Sequence, residues 1–366
     1  MVKFLDLQKI NASVGEDLTK EFNDVLNSGW FVMGNKLVEF ENKYALFSNT
    51  KHCIGVGNGL EAIEIALKSL GIKTGDEVIV PSNTYIATLI AVSNLGAVPV
   101  MVEPKINTYN IDAELIEAKI SNRTKAIIPV HLYGQACEMD KILFLAKKHN
   151  LFIVEDNAQS QGAKYKNKIT GSFGHANATS FYPGKNLGAL GDGGAVTTDS
   201  DKINSTIRKI RNYGSSQKYI NETIGKNSRL DELQAAFLLV KLKVLEKHNN
   251  ERKLIAEEYN SHLGDISEIV TPYIETNSTS VYHQYIIRVS DRDDLQRFLS
   301  EKGVQTLIHY PIPPHLQEAY EKLGHKKGAF PIAEEIADTC LSLPIYPGMP
   351  KEDINKVIKT INDFYG

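Results

Sequence analysis

Cysteine is scarce in this sequence. Cys53, Cys137 and Cys340 are scattered over 366 residues, odd in number and without a Cys-x-x-Cys pair. That spacing excludes a disulfide framework and fits free thiols in a reducing compartment. Long apolar runs are also missing: no stretch approaches the ~18 uncharged apolar residues of a membrane span. The N-terminal MVKFLDLQKINASVGEDL contains acids and no apolar core, so it does not read as a secretory signal. Basic surplus is absent, with 41 Lys and Arg against 44 Asp and Glu and a net charge of −3. A nucleic-acid footprint would require one. Internal repeats and low-complexity tracts are lacking too. These absences leave a cytoplasmic globular protein with neither a membrane nor a nucleic acid as partner.

What is present is an alternation. HCIGVG, EVIVP, AVPVMV, KAIIPV, LFIVED, ATSFY and GAVTT are short apolar runs. Between them lie the helix-like GLEAIEIALKSL, TLIAVSNL, IDAELIEAKI and MDKILFLAKKHN. Continuous apolar strands alternating with helices predict an α/β layer fold around a mainly parallel sheet. Ligands of such sheets bind at the carboxyl ends of the strands. Residues 1–50 read as irregular until a helix around KLVEFENKYALF. Residues 229–259 read as a long amphipathic helical region with a break at His248–Asn250. A strand in VYHQYIIRV, a helix in DLQRFLSEKG, a stiff HYPIPPH loop and two late helices follow. The division expected is a large domain over 1–249 and a smaller C-terminal α+β domain over 250–366.

Four segments combine residue types that chemistry can use. In GVGNGLEAIEIAL a strand runs into glycines and a helix begins near Gly59. The free N–H groups of a helix start attract anions, and glycine lets the backbone approach them; a tight turn without a ligand uses the same residues. LFIVED ends in Glu155 and Asp156, which point to opposite faces. A carboxylate at a buried strand end needs a cation, unless it caps the segment that follows. In ATSFYPGKNLGALGDGG, a strand delivers Ser180, aromatics follow, and glycines clear space around Lys185. A lysine confined in that way has a lowered pKa and can form a Schiff base. In HYPIPPH, His309 and His315 lack a third ligand at metal spacing, so no metal site is read. The stiff loop can instead present His309 and Tyr310 to a polar ligand. An anion site, an acid and an amine at the carboxyl ends of one sheet are what pyridoxal 5′-phosphate (PLP) demands.

These segments resemble the PLP-dependent sugar-nucleotide aminotransferases of the DegT type, within the aspartate aminotransferase superfamily. The likeness runs from SGWFVMGNKLVEFE to HYPIPPH and includes GNGLEAI, PSNTYIAT, HLYGQ, VEDNAQSQGA, SFYPGKNLGALGDGG and RNYG. It implies an aspartate aminotransferase-like α/β fold with a smaller C-terminal domain. It implies that Lys185 carries the cofactor and moves protons at the sugar carbon. Asp156 would pair with the pyridine nitrogen, Gln159 would meet the phenolic oxygen, and Tyr85 would stack on the ring. Asn58, Gly59 and Leu60 would form the phosphate site with Ser180. Asn227 would reach the cofactor phosphate of a neighbouring subunit, which implies a homodimer with shared active sites. Tyr182, His309 and Tyr310 would lie near the sugar, and Arg211 would face the substrate diphosphate. Two residues depart from the usual pattern: Asp192 where many relatives have Glu, and Leu60 where many have Thr. The version here is most similar to enzymes that aminate C3 of dTDP-linked 3-keto-6-deoxyhexoses with L-glutamate, in deoxyamino-sugar and O-antigen synthesis. Amination at C4 and a non-catalytic regulatory relative are the alternatives. A sugar dehydratase would carry His in place of Lys185. A nicotinamide dehydrogenase would not need that lysine.

Overall fold

The computed structural model describes residues 1–366. Its main sheet has seven strands: β1 (His52–Val56), β2 (Glu77–Pro81), β3 (Val98–Val102), β4 (Thr124–Ile127), β5 (Phe152–Asp156), β8 (Ala176–Ser180) and β9 (Gly194–Thr198). A small hairpin of β6 (Lys164–Tyr165) and β7 (Lys168–Ile169) lies between β5 and β8 in the chain. The spatial order is β1-β9-β8-β5-β4-β2-β3. β9 alone runs antiparallel to its neighbours, and the other six strands share one direction. Every residue of EVIVP and of GAVTT is buried. Strands covered on both faces have no use for polar alternation, which is why they read as continuous apolar runs.

Helices cover both faces. On one side α4 (Gly59–Ser69) lays Ala62, Ile63, Ile65, Ala66 and Leu67 against Ile54, Val80, Val154, Ala178 and Val196 of the sheet. On the other, Ile79, Ile127 and Ile153 meet Ile142 and Leu145 of the helix Met139–His149. The N-terminal segment is more ordered than its sequence implies. It forms α1 (Leu7–Ala12) and α2 (Gly15–Ser28) before α3 (Asn35–Ser48). Asp6 caps α1 by accepting the Lys9 N–H, and Gly29 ends α2 at a left-handed φ of 64°.

The later residues build a second core around the antiparallel pair Tyr285–Arg288 and Cys340–Leu343. Helices Leu245–Leu263, Arg292–Glu301 and Lys351–Tyr365 pack on it. Val2 joins the same core and bridges Val304 in parallel, so both chain ends meet there. The position 249/250 lies inside the continuous helix Leu245–Leu263. The helical break in 229–259 is not at His248–Asn250 but at Lys243–Val244, between Glu232–Leu242 and Leu245–Leu263. Asn249 stays helical because its side chain is held by Asn186 and donates to the Gln161 carbonyl, 2.9 Å away. Two such bonds outweigh the few tenths of a kcal/mol that Asn costs a helix.

Candidate active site

The carboxyl ends of β1, β2, β5 and β8 open into one cavity of about 1420 Å³. The large sheet forms one wall. The other comes from the second core and its approach, with His283, Gln296, Arg297, His309 and Tyr310. Of the residues named from sequence, Asn58, Gly59, Leu60, Tyr85, Asp156, Gln159, Ser180, Tyr182, Lys185, His309 and Tyr310 all line it.

Asp156 ends β5 and is buried. Its Oδ2 accepts the Thr88 hydroxyl at 2.9 Å and its Oδ1 accepts the Ala158 N–H at 3.1 Å. Burial pushes its pKa up, while these two donors and the nearby charge of Lys185 pull it down. Lys185 follows β8 and has no carboxylate in contact. Burial lowers its pKa to about 8, opposed only by the field of Asp156. One site therefore holds an acid whose pKa burial raises, so that it needs a nearby cation to stay ionised, and an amine whose pKa is lowered to about 8. Glu155, the alternative acid, faces the opposite side of the sheet. There it accepts the His131 ring at 2.8 Å and the N–H groups of Gly171, Phe173 and Gly174. It pins the loop before β8 and takes no part in the cavity.

At the other end of the site, α4 starts. Asn58 caps it by accepting the Glu61 N–H at 2.9 Å, which leaves the Gly59 and Leu60 N–H groups of the first turn to an anion. A methyl on Gly59 would stand 2.5 Å from Ser180 Cβ, and one on Gly194 would stand 2.4 Å from the Asn58 carbonyl. These glycines let β8 and β9 press against the helix start and bring the Ser180 hydroxyl beside it. Gln159 is fixed at both ends: it accepts the Tyr133 N–H at 2.7 Å and donates to the Tyr310 hydroxyl at 3.1 Å. Tyr85 and Tyr310 rings lie 5.2 Å apart, inclined by 36°. Tyr182 is 61% exposed at the rim. His309 is bonded through Nδ1 to the Ser342 hydroxyl at 2.7 Å; burial and then the Lys185 charge lower its pKa to about 4, so it is a neutral ring. His315 points elsewhere, to Glu334 at 2.9 Å.

One expectation, that for Arg211, meets a different geometry. Arg211 does not line the cavity. It is 3% exposed, and its Nη1 donates to the Glu41 carboxylate at 2.5 Å and to the Gly55 carbonyl at 2.7 Å. Glu41 is itself buried, holds the Gly55 N–H at 2.9 Å and accepts Arg208 Nη1 at 2.9 Å on its other oxygen, so Arg211 and Arg208 together neutralise it. Asn227 is exposed and lies outside the cavity of its own chain, beside Ser228, whose hydroxyl accepts the Gly57 N–H. Sequence reading passed over Thr88 and His283. Thr88 sits in PSNTYIAT, one helical turn from Thr84, whose hydroxyl it meets at 3.0 Å. His283 bonds Asn186 at 3.2 Å in the same wall as Lys185. A histidine inside the apolar VYHQYIIRV was the available signal.

A phosphate cradle at a helix start, a buried acid and an amine of lowered pKa thus share one wall. They fit PLP group by group, and the cradle is closed enough that a single Cβ would fill it. A model of the DegT/DnrJ/EryC1/StrS aminotransferase family matches residues 12–362. The chain belongs to this family. It is a PLP-dependent sugar aminotransferase with the aspartate aminotransferase-like fold. It is 49% identical to the dTDP-3-amino-3,6-dideoxy-alpha-D-galactopyranose transaminase of Aneurinibacillus thermoaerophilus, over 100% of this chain and 99% of the relative. The structure of Streptomyces venezuelae DesV in complex with a ketimine intermediate superposes with a TM-score of 0.98 at 43% identity, covering 100% of this chain and 98% of that one. The Bacillus subtilis protein NtdA, solved with bound cofactor PMP, gives a TM-score of 0.92 at 30% identity, over 99% of this chain and 84% of that one.

Proposed function

We propose that this aminotransferase moves the amino group of L-glutamate to C3 of a dTDP-linked 3-keto-6-deoxyhexose. The product is a dTDP-3-amino-3,6-dideoxyhexose for glycan or O-antigen assembly. The observation that carries this reading is the end-to-end identity of 49% with a transaminase named for such a product, joined to a cavity that gathers Asp156, Gln159, Ser180 and Lys185. The cavity is larger than the ~300–1,000 Å³ of a site for one small molecule, and so suits a cofactor together with a nucleotide-linked sugar.

PLP, when bound, supplies an electron sink for breaking a bond to hydrogen at carbon. Asp156 keeps the ring nitrogen protonated. Lys185 would hold the cofactor and, once freed from it, would move the proton at C3 of the sugar. The first-turn N–H groups of α4 and the Ser180 hydroxyl bind the phosphate. Tyr85 covers the ring, and Gln159, locked by Tyr133 and Tyr310, orients toward the phenolic oxygen. His309, Tyr310 and Tyr182 form the sugar side, where a neutral His309 donates or accepts without repelling Lys185.

The working unit of this proposal is a cytoplasmic homodimer with shared sites. Phe22, Leu26, Trp30, Phe31 and Val38, on and beside α2 and α3, are each exposed, and large apolar side chains left open along so short a stretch suit a subunit contact. Asn227 lies on the surface of its own chain, free to serve a neighbour's phosphate. The test is incubation of the protein, PLP and glutamate with dTDP-3-keto-6-deoxy-glucose and, separately, the galacto epimer. Product NMR showing nitrogen on C3 supports the reading. Nitrogen on C4 overturns the regiochemistry, and no turnover by a cofactor-loaded protein overturns the substrate.

A further inference from the structure

Lys185 borders a second cavity, about 20 Å³ in volume. Its polar wall consists of Asn11, Lys185, Asn186, Lys241, His248 and Arg252, closed by apolar residues of α1, and no Asp or Glu lines it. Lys241 is 9% exposed and has one partner, the Gly188 carbonyl at 2.8 Å. Arg252 is 2% exposed. Its Nη1 is shared among the carbonyls of Tyr282, His283 and Ile345, and its Nε has no partner. Asn11 Oδ1 is also unpartnered, and an amide can present either end. Glu251, on the same helix as His248 and Arg252, is engaged by the Gly348 N–H and does not enter the wall.

A buried cation is costly unless an opposite charge meets it. Here a guanidinium that stays protonated at any ordinary pH and the Lys241 ammonium border one small space without a carboxylate, whether or not Lys185 carries the cofactor. Burial acting alone pushes Lys241 down to about 8 and Arg252 down to about 10. A water molecule would satisfy hydrogen bonds there but would leave the charge uncompensated. At about 20 Å³ the space is of the size that one water or one monatomic ion fills.

We propose that this cavity is a binding site for a monatomic anion, chloride under ordinary conditions, held by Lys241 Nζ and Arg252 Nε. The ion neutralises the cationic cluster. Because Lys241 also grips Gly188, it braces the Gly184–Gly188 segment that carries Lys185.

Crystals of the holoenzyme soaked in bromide test this directly. An anomalous peak is expected in the cavity, within hydrogen-bonding reach of both groups. Bromide sites elsewhere on the molecule with none in the cavity would overturn the proposal and leave it a hydrated void. In solution, chloride should raise the melting temperature of the holoenzyme by ~2–4 °C over gluconate at equal ionic strength. Lys241→Met should abolish that difference; an undiminished chloride effect in K241M would overturn the assignment of the ligand. If K241M does not fold, the bromide experiment on the unaltered protein decides alone.

Discussion

A carboxylate serves a ring nitrogen only while it is ionised, and the pKa of Asp156, raised on balance by burial, makes it depend on a cation facing it. Burial raises its pKa; the Ala158 N–H, the Thr88 hydroxyl and the Lys185 charge restrain it. Asp156→Asn should keep the cofactor attached to Lys185, since that bond does not involve the ring nitrogen. The half-reaction with glutamate should slow at least ~100-fold, the usual loss of one well-placed electrostatic partner. Stopped-flow conversion to the pyridoxamine form measures it. A wild-type rate in D156N would make Asp156 a structural cap. The lowered pKa of Lys185 predicts a second outcome. Only the uncharged amine attacks an aldehyde, so the rate at which apoenzyme takes up PLP should rise with pH and level off above about 8. A rate still climbing toward the ordinary lysine value of 10.5 would show an amine that is not desolvated.

At the scale of elements, the start of α4 is the tightest junction in the site. Gly59→Ala would set a methyl 2.5 Å from Ser180 Cβ, so either helix or strand must shift. Overpacking of this kind costs about 1–3 kcal/mol, which should appear as a ~10- to 100-fold weaker affinity for PLP in a titration followed by absorbance. Unchanged affinity would mean that the phosphate does not sit there. The strands around this junction were legible because buried parallel strands are uninterrupted apolar runs ending in Gly, Asp or Ser. Two other features were not. Helices α1 and α2 have mixed polarity, and their signals, the Asp6 cap and Gly29, are single residues. RNYG places Arg211 near nucleotide-binding motifs in the chain, but nothing local in the sequence reveals that Glu41 is buried and waiting for it. Thr88 was hidden for a like reason: its partner Asp156 is near only after folding. Residue order identifies groups that share a strand end, and misses pairs assembled across the fold.

For the molecule as a whole, the proposed function requires two chains and one covalent anchor. The exposed face around Trp30 and Phe31 predicts that Trp30→Asp shifts the protein toward monomer in light scattering and lowers its activity. Asn227→Ala should leave folding intact and weaken PLP binding ~10- to 100-fold, the value of one charge-assisted hydrogen bond of about 1.5–3 kcal/mol. A fully active monomer would contradict both. The two walls of the main cavity come from the two cores, and Lys185 is the one lysine lining it. Lys241, with a comparably lowered pKa, opens only onto the small anion cavity and should not react. Hydride reduction of the PLP-loaded protein followed by peptide mapping separates these amines most directly. The account predicts a phosphopyridoxyl group on the peptide containing Lys185 and on no other; label on Lys241 or another lysine, with Lys185 unmodified, would contradict it.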